Sequence, residues 1–267
     1  MTYAVIGAVL IGVSLGLLGS GGSILTVPIL LALGHADKQA IAESLAIVGC
    51  ISLFGAIRQG IRGEVDWRAA AFFAIPGTAG AYLGAKLAEF VPGPVQIVAL
   101  GIIMLAAALM MAFYKIKECH GDEKPSVAVM IAVGLGVGTI TGLVGIGGGF
   151  LIVPSLVLAG RVPLKRSIGT SLAVIVLNSA VGFFKYNAVL PQLGQSVNWE
   201  TIGIFAACGV LGTLIGASIG QRINREALRK TFAVFLVLMG VFLIAQKVRA
   251  MLSAPAATDH VQPTRKT

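Results

Sequence analysis

"GLVGIGGGFLIVP", residues 142–154, decides how this chain is read, because it repeats an earlier stretch, "GLLGSGGSILTVP", residues 16–28. Aligned without gaps, Gly16, Leu17, Gly19, Gly21, Gly22, Leu25, Val27 and Pro28 recur as Gly142, Leu143, Gly145, Gly147, Gly148, Leu151, Val153 and Pro154, which is 8 identities in 13 positions. Each phrase sets clustered glycines and then a proline in the middle of a long apolar run. Glycine lets the backbone leave a helix at little steric cost, and proline is tolerated near a helix start, where no amide donor is needed. The phrase therefore predicts a helix that breaks and restarts, twice, at matching places.

Outward from these breaks the chain is strongly apolar. Of its 267 residues, 57% are hydrophobic and 12% charged, with mean hydropathy +0.93. Soluble domains carry about 25% charged residues, so this composition reads as a polytopic α-helical membrane protein. The apolar segments are 3–33, 39–57, 69–90, 95–114, 127–160, 168–184, 200–220 and 231–246. No Lys or Arg precedes the first run, so the start is expected to be mature structure and not a cleaved leader. The net charge of +9 sits mainly in short loops and at the tail. It reads as a topology signal and not as a nucleic-acid surface.

The polar stretch "KIKECHGDEKP", 115–125, divides two copies of one unit. "SLA" at 44–46 recurs at 171–173, "VDW" at 65–67 recurs as "VNW" at 197–199, and Gly80 and Gly84 match Gly212 and Gly216. The expected organisation is a first membrane repeat at 1–114, a linker at 115–125, a second membrane repeat at 126–250, and a disordered tail at 251–267.

Segments 3–33 and 127–160 are too long for one upright helix across a ~30 Å core and short for two spans of ~20 residues. A re-entrant hairpin fits. Charge counting separates this from eight plain crossings. Plain crossings place 11 Lys and Arg on one side and 9 on the other; returning hairpins place 13 against 7. The positive-inside rule selects the second arrangement. Each half then crosses three times, so the fold expected is an inverted repeat. Each half consists of a glycine-broken hairpin plus three transmembrane helices. The linker is cytoplasmic and both termini are periplasmic, with Lys247 and Arg249 lying on the disfavoured side.

Two half-helices restarting near the midplane present free N–H groups and positive dipole ends to one point. Such a place suits a small anion, and broken helices of this kind recur in secondary transporters. The candidate binding residues are Gly19, Ser20, Gly21, Gly22 and Ser23 in the first break, and Gly145, Gly147, Gly148 and Gly149 in the second. Ser44 and Ser171 open matching helices and serve either as caps or as lining. Ser52 and Ser179 also match each other. Asn178, costly in lipid, should face protein or a cavity. Glu43 is the candidate for proton coupling, against the plainer reading of a solvated helix start. Gly80/Gly84 and Gly212/Gly216/Gly220 read as close-packing glycines.

Other chemistry is not indicated. Cys50, Cys119 and Cys208 are far apart, so neither a disulfide framework nor a zinc site is expected, and Cys50 and Cys208 read as packing. His35, His120 and His260 fall in loops or the tail. No Ser/His, paired-Asp or metal-ligand set occurs at depth, and "GIGGG" lacks the G-K-[ST] of a nucleotide loop. No enzyme activity, metal or cofactor is expected.

The two glycine phrases, each opening one half of a membrane protein of this length, resemble the TauE/SafE family of sulfite exporters over essentially all of residues 1–250. That resemblance implies a secondary transporter of the bacterial inner membrane, handling sulfite, sulfoacetate and related organosulfonates, or thiosulfate. The family is usually described with about eight membrane segments, whereas the hairpin reading counts six crossings. The alternatives from the residues alone are a cation or metal-ion transporter, or a passive anion channel, of the same architecture.

Overall fold

The computed structural model describes residues 7–9, 11–13, 23–113, 127–220 and 225–253. Nine helices are followed below: α1 Thr26–Ala32, α2 Asp37–Ile61, α3 Trp67–Leu87, α4 Gly93–Phe113, α5 Val127–Val144, α6 Gly149–Leu158, α7 Leu164–Val189, α8 Trp199–Gly220 and α9 Arg225–Ser253. No strand occurs among the described residues. Among the described residues, five stretches are long and apolar enough to cross a membrane: Asp37–Ile61, Gly93–Met110, Val127–Val144, Lys165–Leu193 and Trp199–Gly216. Ile57, Ile75, Ile102, Phe184, Leu238 and Phe242 lie exposed on the outer faces, as lipid-facing side chains do. The tail expected beyond 251 lies outside the described residues from 254 onward, and α9 runs to Ser253.

The repeated "VDW/VNW" is a helix start. Asp66 Oδ1 accepts from the Ala69 amide at 2.9 Å, and Asn198 Oδ1 accepts from the Thr201 amide at 3.0 Å. These side chains satisfy donors that the first turns of α3 and α8 leave open.

Contacts between equivalent helices fix their relative direction. On α2 and α7, Gly55 lies beside Leu172, Gly49 beside Ser179, and Gly182 beside Leu45. As one number rises the other falls, so α2 and α7 run antiparallel. On α4 and α9, Gly101 lies beside Ile244 and Gly240 beside Leu105, again antiparallel.

The most extensive packing is α3 against α5. Gly134 meets Phe73, Gly138 meets Gly77 and Gly142 meets Ala81, so these two helices run parallel, backbone on backbone. The first half repeats this contact with Gly12 against Gly209 and Gly212. The close-packing reading of Gly80 and Gly84 holds, because a Cβ on either would strike a carbonyl of α5, at Leu135 and Thr139.

Charges gather at the two ends of the bundle. Asp37 pairs with Lys247 at 2.5 Å and Glu89 with Lys185 at 2.5 Å at one end, and Glu64 pairs with Lys165 at 2.6 Å at the other. Cys50 is exposed and not packed in the interior. The antiparallel crossing with α7 turns other residues of α2 inward at that level.

Candidate functional site

The second glycine phrase forms a buried turn between α5 and α6. Gly145, Gly147 and Gly148 take φ of +77°, +69° and +81°, the left-handed region that costs other residues about 1–2 kcal/mol. The Gly145 amide still closes the last turn of α5, donating to the Thr141 carbonyl at 2.8 Å. Gly148 then starts α6, its carbonyl accepting from the Leu151 and Ile152 amides at 3.0 and 2.9 Å. Among the described residues no backbone carbonyl accepts from Gly147 or Gly148. The turn thus points the positive dipole end of α6 into the protein interior.

Close approach also demands glycine here. A Cβ on Gly147 would lie 2.8 Å from Val48 Cγ1, 3.0 Å from Ser179 Oγ and 3.4 Å from Ile175 Cγ2. Val48 and Ile175 are equivalent positions of the two repeats, so Gly147 sits over the crossing of α2 and α7. Gly149 and Ser23 are buried. Gly19, Ser20, Gly21 and Gly22 lie outside the described residues.

Proline plays different parts in the two phrases. Pro28 is the third residue of α1, in its first turn. Pro154 is the sixth of α6, past the first turn, so the expectation of a proline at the helix start fails in the second half. Three left-handed glycines allow α6 to begin at Gly149, and Pro154 then deprives the Phe150 carbonyl of its helical donor.

The buried hydroxyls fall into two groups. Ser44 Oγ lies 2.8 Å from the Ile41 carbonyl and 2.6 Å from the Gly145 carbonyl, pinning the turn to α2. Ser171 Oγ donates to the Ile168 carbonyl at 2.8 Å, Thr141 to Gly138 at 3.0 Å and Ser167 to Val162 at 2.9 Å. Ser52 and Ser179, both fully buried, have no hydrogen-bond partner among the described residues. Asn178 packs over Gly77 of α3, where its Oδ1 accepts from Thr78 at 3.3 Å. Its Nδ2 finds no partner among the described residues.

Glu43 is not at a solvated helix start. It is fully buried, between the loop that leads into α2 and the distant loop before α8. Its Oε2 lies 2.7 Å from His35 Nδ1, and its Oε1 accepts from the Asn198 amide at 2.7 Å and Gln39 Nε2 at 2.9 Å. The other repeat holds the matching contact, with Thr170 Oγ1 accepting from the Asp66 amide at 2.9 Å. Glu43 therefore ties α2 to the cap of α8 through a carboxylate, and Thr170 ties α7 to the cap of α3 through a hydroxyl.

Sequence reasoning did not single out Gln96 or Tyr186. Gln96 Nε2 donates to Tyr186 Oη at 3.0 Å and to the Leu143 carbonyl at 3.1 Å, and Tyr186 Oη donates to that carbonyl at 2.8 Å. These bonds close the end of α5 from α4 and α7. A lone Gln and a lone Tyr in apolar runs were the available signal, but nothing in their spacing named the partner.

The sequence profile described as "Sulfite exporter TauE/SafE" matches residues 4–243. The chain belongs to the TauE/SafE sulfite exporter family. A probable membrane transporter protein of Xylella fastidiosa is 32% identical over 244 residues, covering 88% of this chain and 91% of its own. A probable membrane transporter protein of Methanocaldococcus jannaschii is 28% identical over 251 residues, covering 88% and 94%. One from Bacillus subtilis is 28% identical over 262 residues, covering 87% and 93%. No solved structure matches. This TauE/SafE protein is a multi-pass, helical membrane transporter.

Proposed function

We propose that this protein is a secondary transporter that exports small sulfur-containing anions, such as sulfite or organosulfonates, across the bacterial inner membrane. The anion binds midway through the bilayer between the two glycine-broken helices. The observation that carries this reading is the buried turn at Gly145–Gly148, which aims the start of α6 at the crossing of α2 and α7. The positive dipole end of a helix attracts anions, and the family's description names sulfite.

Antiparallel running of α2 against α7, and of α4 against α9, supports reading the halves as an inverted repeat. The hairpin reading has similar support. The start of α7 lies with the start of α3, since Gly169 meets Glu64. Because α5 runs parallel to α3, residues 127 and 164 share one end of the bundle, and α6 returns the chain to the end it left. The linker is then cytoplasmic and the termini periplasmic. Lys247, which stood against that topology, is paired with Asp37. Alternating access rocks helices around the fixed site, with Glu43 as the proton-coupling group.

The test is uptake of radiolabelled sulfite into proteoliposomes under an imposed proton gradient, comparing wild type with Gly22→Leu and Gly148→Leu. Saturable flux is expected, competed by sulfoacetate and thiosulfate, lost in both variants and reduced when the gradient is collapsed. Wild-type rates from folded Gly148→Leu protein refute the site. Flux indifferent to the gradient refutes the coupling.

A further inference from the structure

The hydroxyls of the membrane helices differ in how they are satisfied. Six hydroxyls in membrane helices and their starts, those of Ser44, Thr139, Thr141, Ser167, Ser171 and Thr213, bond to backbone carbonyls. This is the usual way to hide a hydroxyl in an apolar helix. Ser52, Ser179 and Thr26 do not, although all three are fully buried; Thr26 corresponds to Ile152 in the repeat alignment, so only Ser52 and Ser179 form a matched pair. An unpartnered buried polar group is destabilising, so two at corresponding positions of the repeats are not accounted for by packing.

Their placement gives the reason. Ser52 stands four residues after Val48, and Ser179 four after Ile175, so each shares a helix face with the residue before it. Val48, Ile175 and Ser179 all lie against Gly147. The antiparallel register of α2 and α7 puts Ser52 and Ser179 on either side of the crossing, about one helical turn (~5 Å) apart along the axes. Among the described residues no Lys or Arg side chain is buried. Positive potential at this place therefore comes from the start of α6, and the side-chain donors are neutral.

Resting on the anion-transport reading above, we propose that Ser52 and Ser179 are the specificity-determining side chains of the site. The pair, one hydroxyl from each repeat, binds oxygen atoms of a small oxyanion. A hydroxyl both donates and accepts, so the pair receives such an anion with or without a proton on it. Halides, which offer no directed oxygen acceptor, are discriminated against. Asn178 is not part of the pair, because its carbonyl oxygen is engaged by Thr78 on the α3 side.

The test is equilibrium binding of sulfite to purified wild type, Ser52→Ala, Ser179→Ala and the double variant, with Tm measured without ligand. Each single variant is expected to bind sulfite about tenfold more weakly or worse, while its ligand-free Tm is unchanged or raised. Chloride at equal ionic strength is expected to compete poorly with sulfite in wild type. Wild-type sulfite affinity in both alanine variants overturns the assignment. So does a ligand-free Tm lowered by several degrees, which marks the hydroxyls as structural, or chloride competing as well as sulfite. Failure of wild type to bind any sulfur oxyanion overturns instead the transport reading on which the assignment rests.

Discussion

Replacing Gly147 with alanine tests the turn at the centre of the protein. The residue holds φ of +69°, and its new methyl would lie 2.8 Å from Val48 Cγ1 and 3.0 Å from Ser179 Oγ. The left-handed backbone contributes about 1–2 kcal/mol of destabilisation. Overpacking against Val48 and Ser179 adds about 1–3 kcal/mol, so Gly147→Ala is expected to lose about 2–5 kcal/mol. The two parts are separable. Val48→Ala removes the methyl that the new Cβ meets and leaves the backbone angle untouched. In a double-mutant cycle the pair should therefore couple favourably by about 1–2 kcal/mol, recovering the Val48 share of the packing part and none of the dihedral part. The assay is reversible unfolding in mixed micelles of all four proteins. Stability of Gly147→Ala within about 0.5 kcal/mol of wild type, the ordinary range for an inert surface change, would refute the reasoning. A coupling of zero would refute the packing contribution. Complete rescue would refute the backbone contribution.

Two further predictions concern the seams that hold the turn in place. Gly138→Ala puts a methyl on the Gly77 carbonyl, where only a shift of the whole helix relieves it. It should abolish a monodisperse fold in detergent chromatography. Gly136→Ala, with nothing within 4 Å of its Cβ, should be neutral or stabilising by up to about 1 kcal/mol from helix propensity. At the loop contact, Glu43→Ala strands the Asn198 amide and should lower stability by about 1–3 kcal/mol, whereas Glu43→Gln keeps an acceptor there and should lose less. Thermal unfolding of the two variants side by side checks the order.

Much of the fold was legible because membrane helices announce themselves by length and apolarity, and because the chain states its plan twice. The apolar runs from 39–57 to 231–246 correspond to α2–α4 and α7–α9, and the break at 142–154 is a break between helices. What could not be read are the partners of polar groups. Glu43 looks like a solvated acid near a helix start until Asn198, 155 residues later, closes over it. Lys247 counts against the topology until Asp37, 210 residues earlier, is found beside it. Ser44 and Ser52 look equally suited to line a site. Only the structure shows that one hydroxyl is committed to the Gly145 carbonyl and the other is not. Pro154 was misplaced because sequence spacing does not reveal how early left-handed glycines allow a helix to restart.

The seam between α3 and α5 joins a helix of the first repeat to a helix of the second, and Gly12 against Gly209 joins them the other way round. Any rigid body built on these seams is a hybrid drawn from both copies, so the boundary at residues 115–125 divides the gene and not the machine. Either half expressed alone should be degraded, and co-expression of the two should restore a purifiable complex.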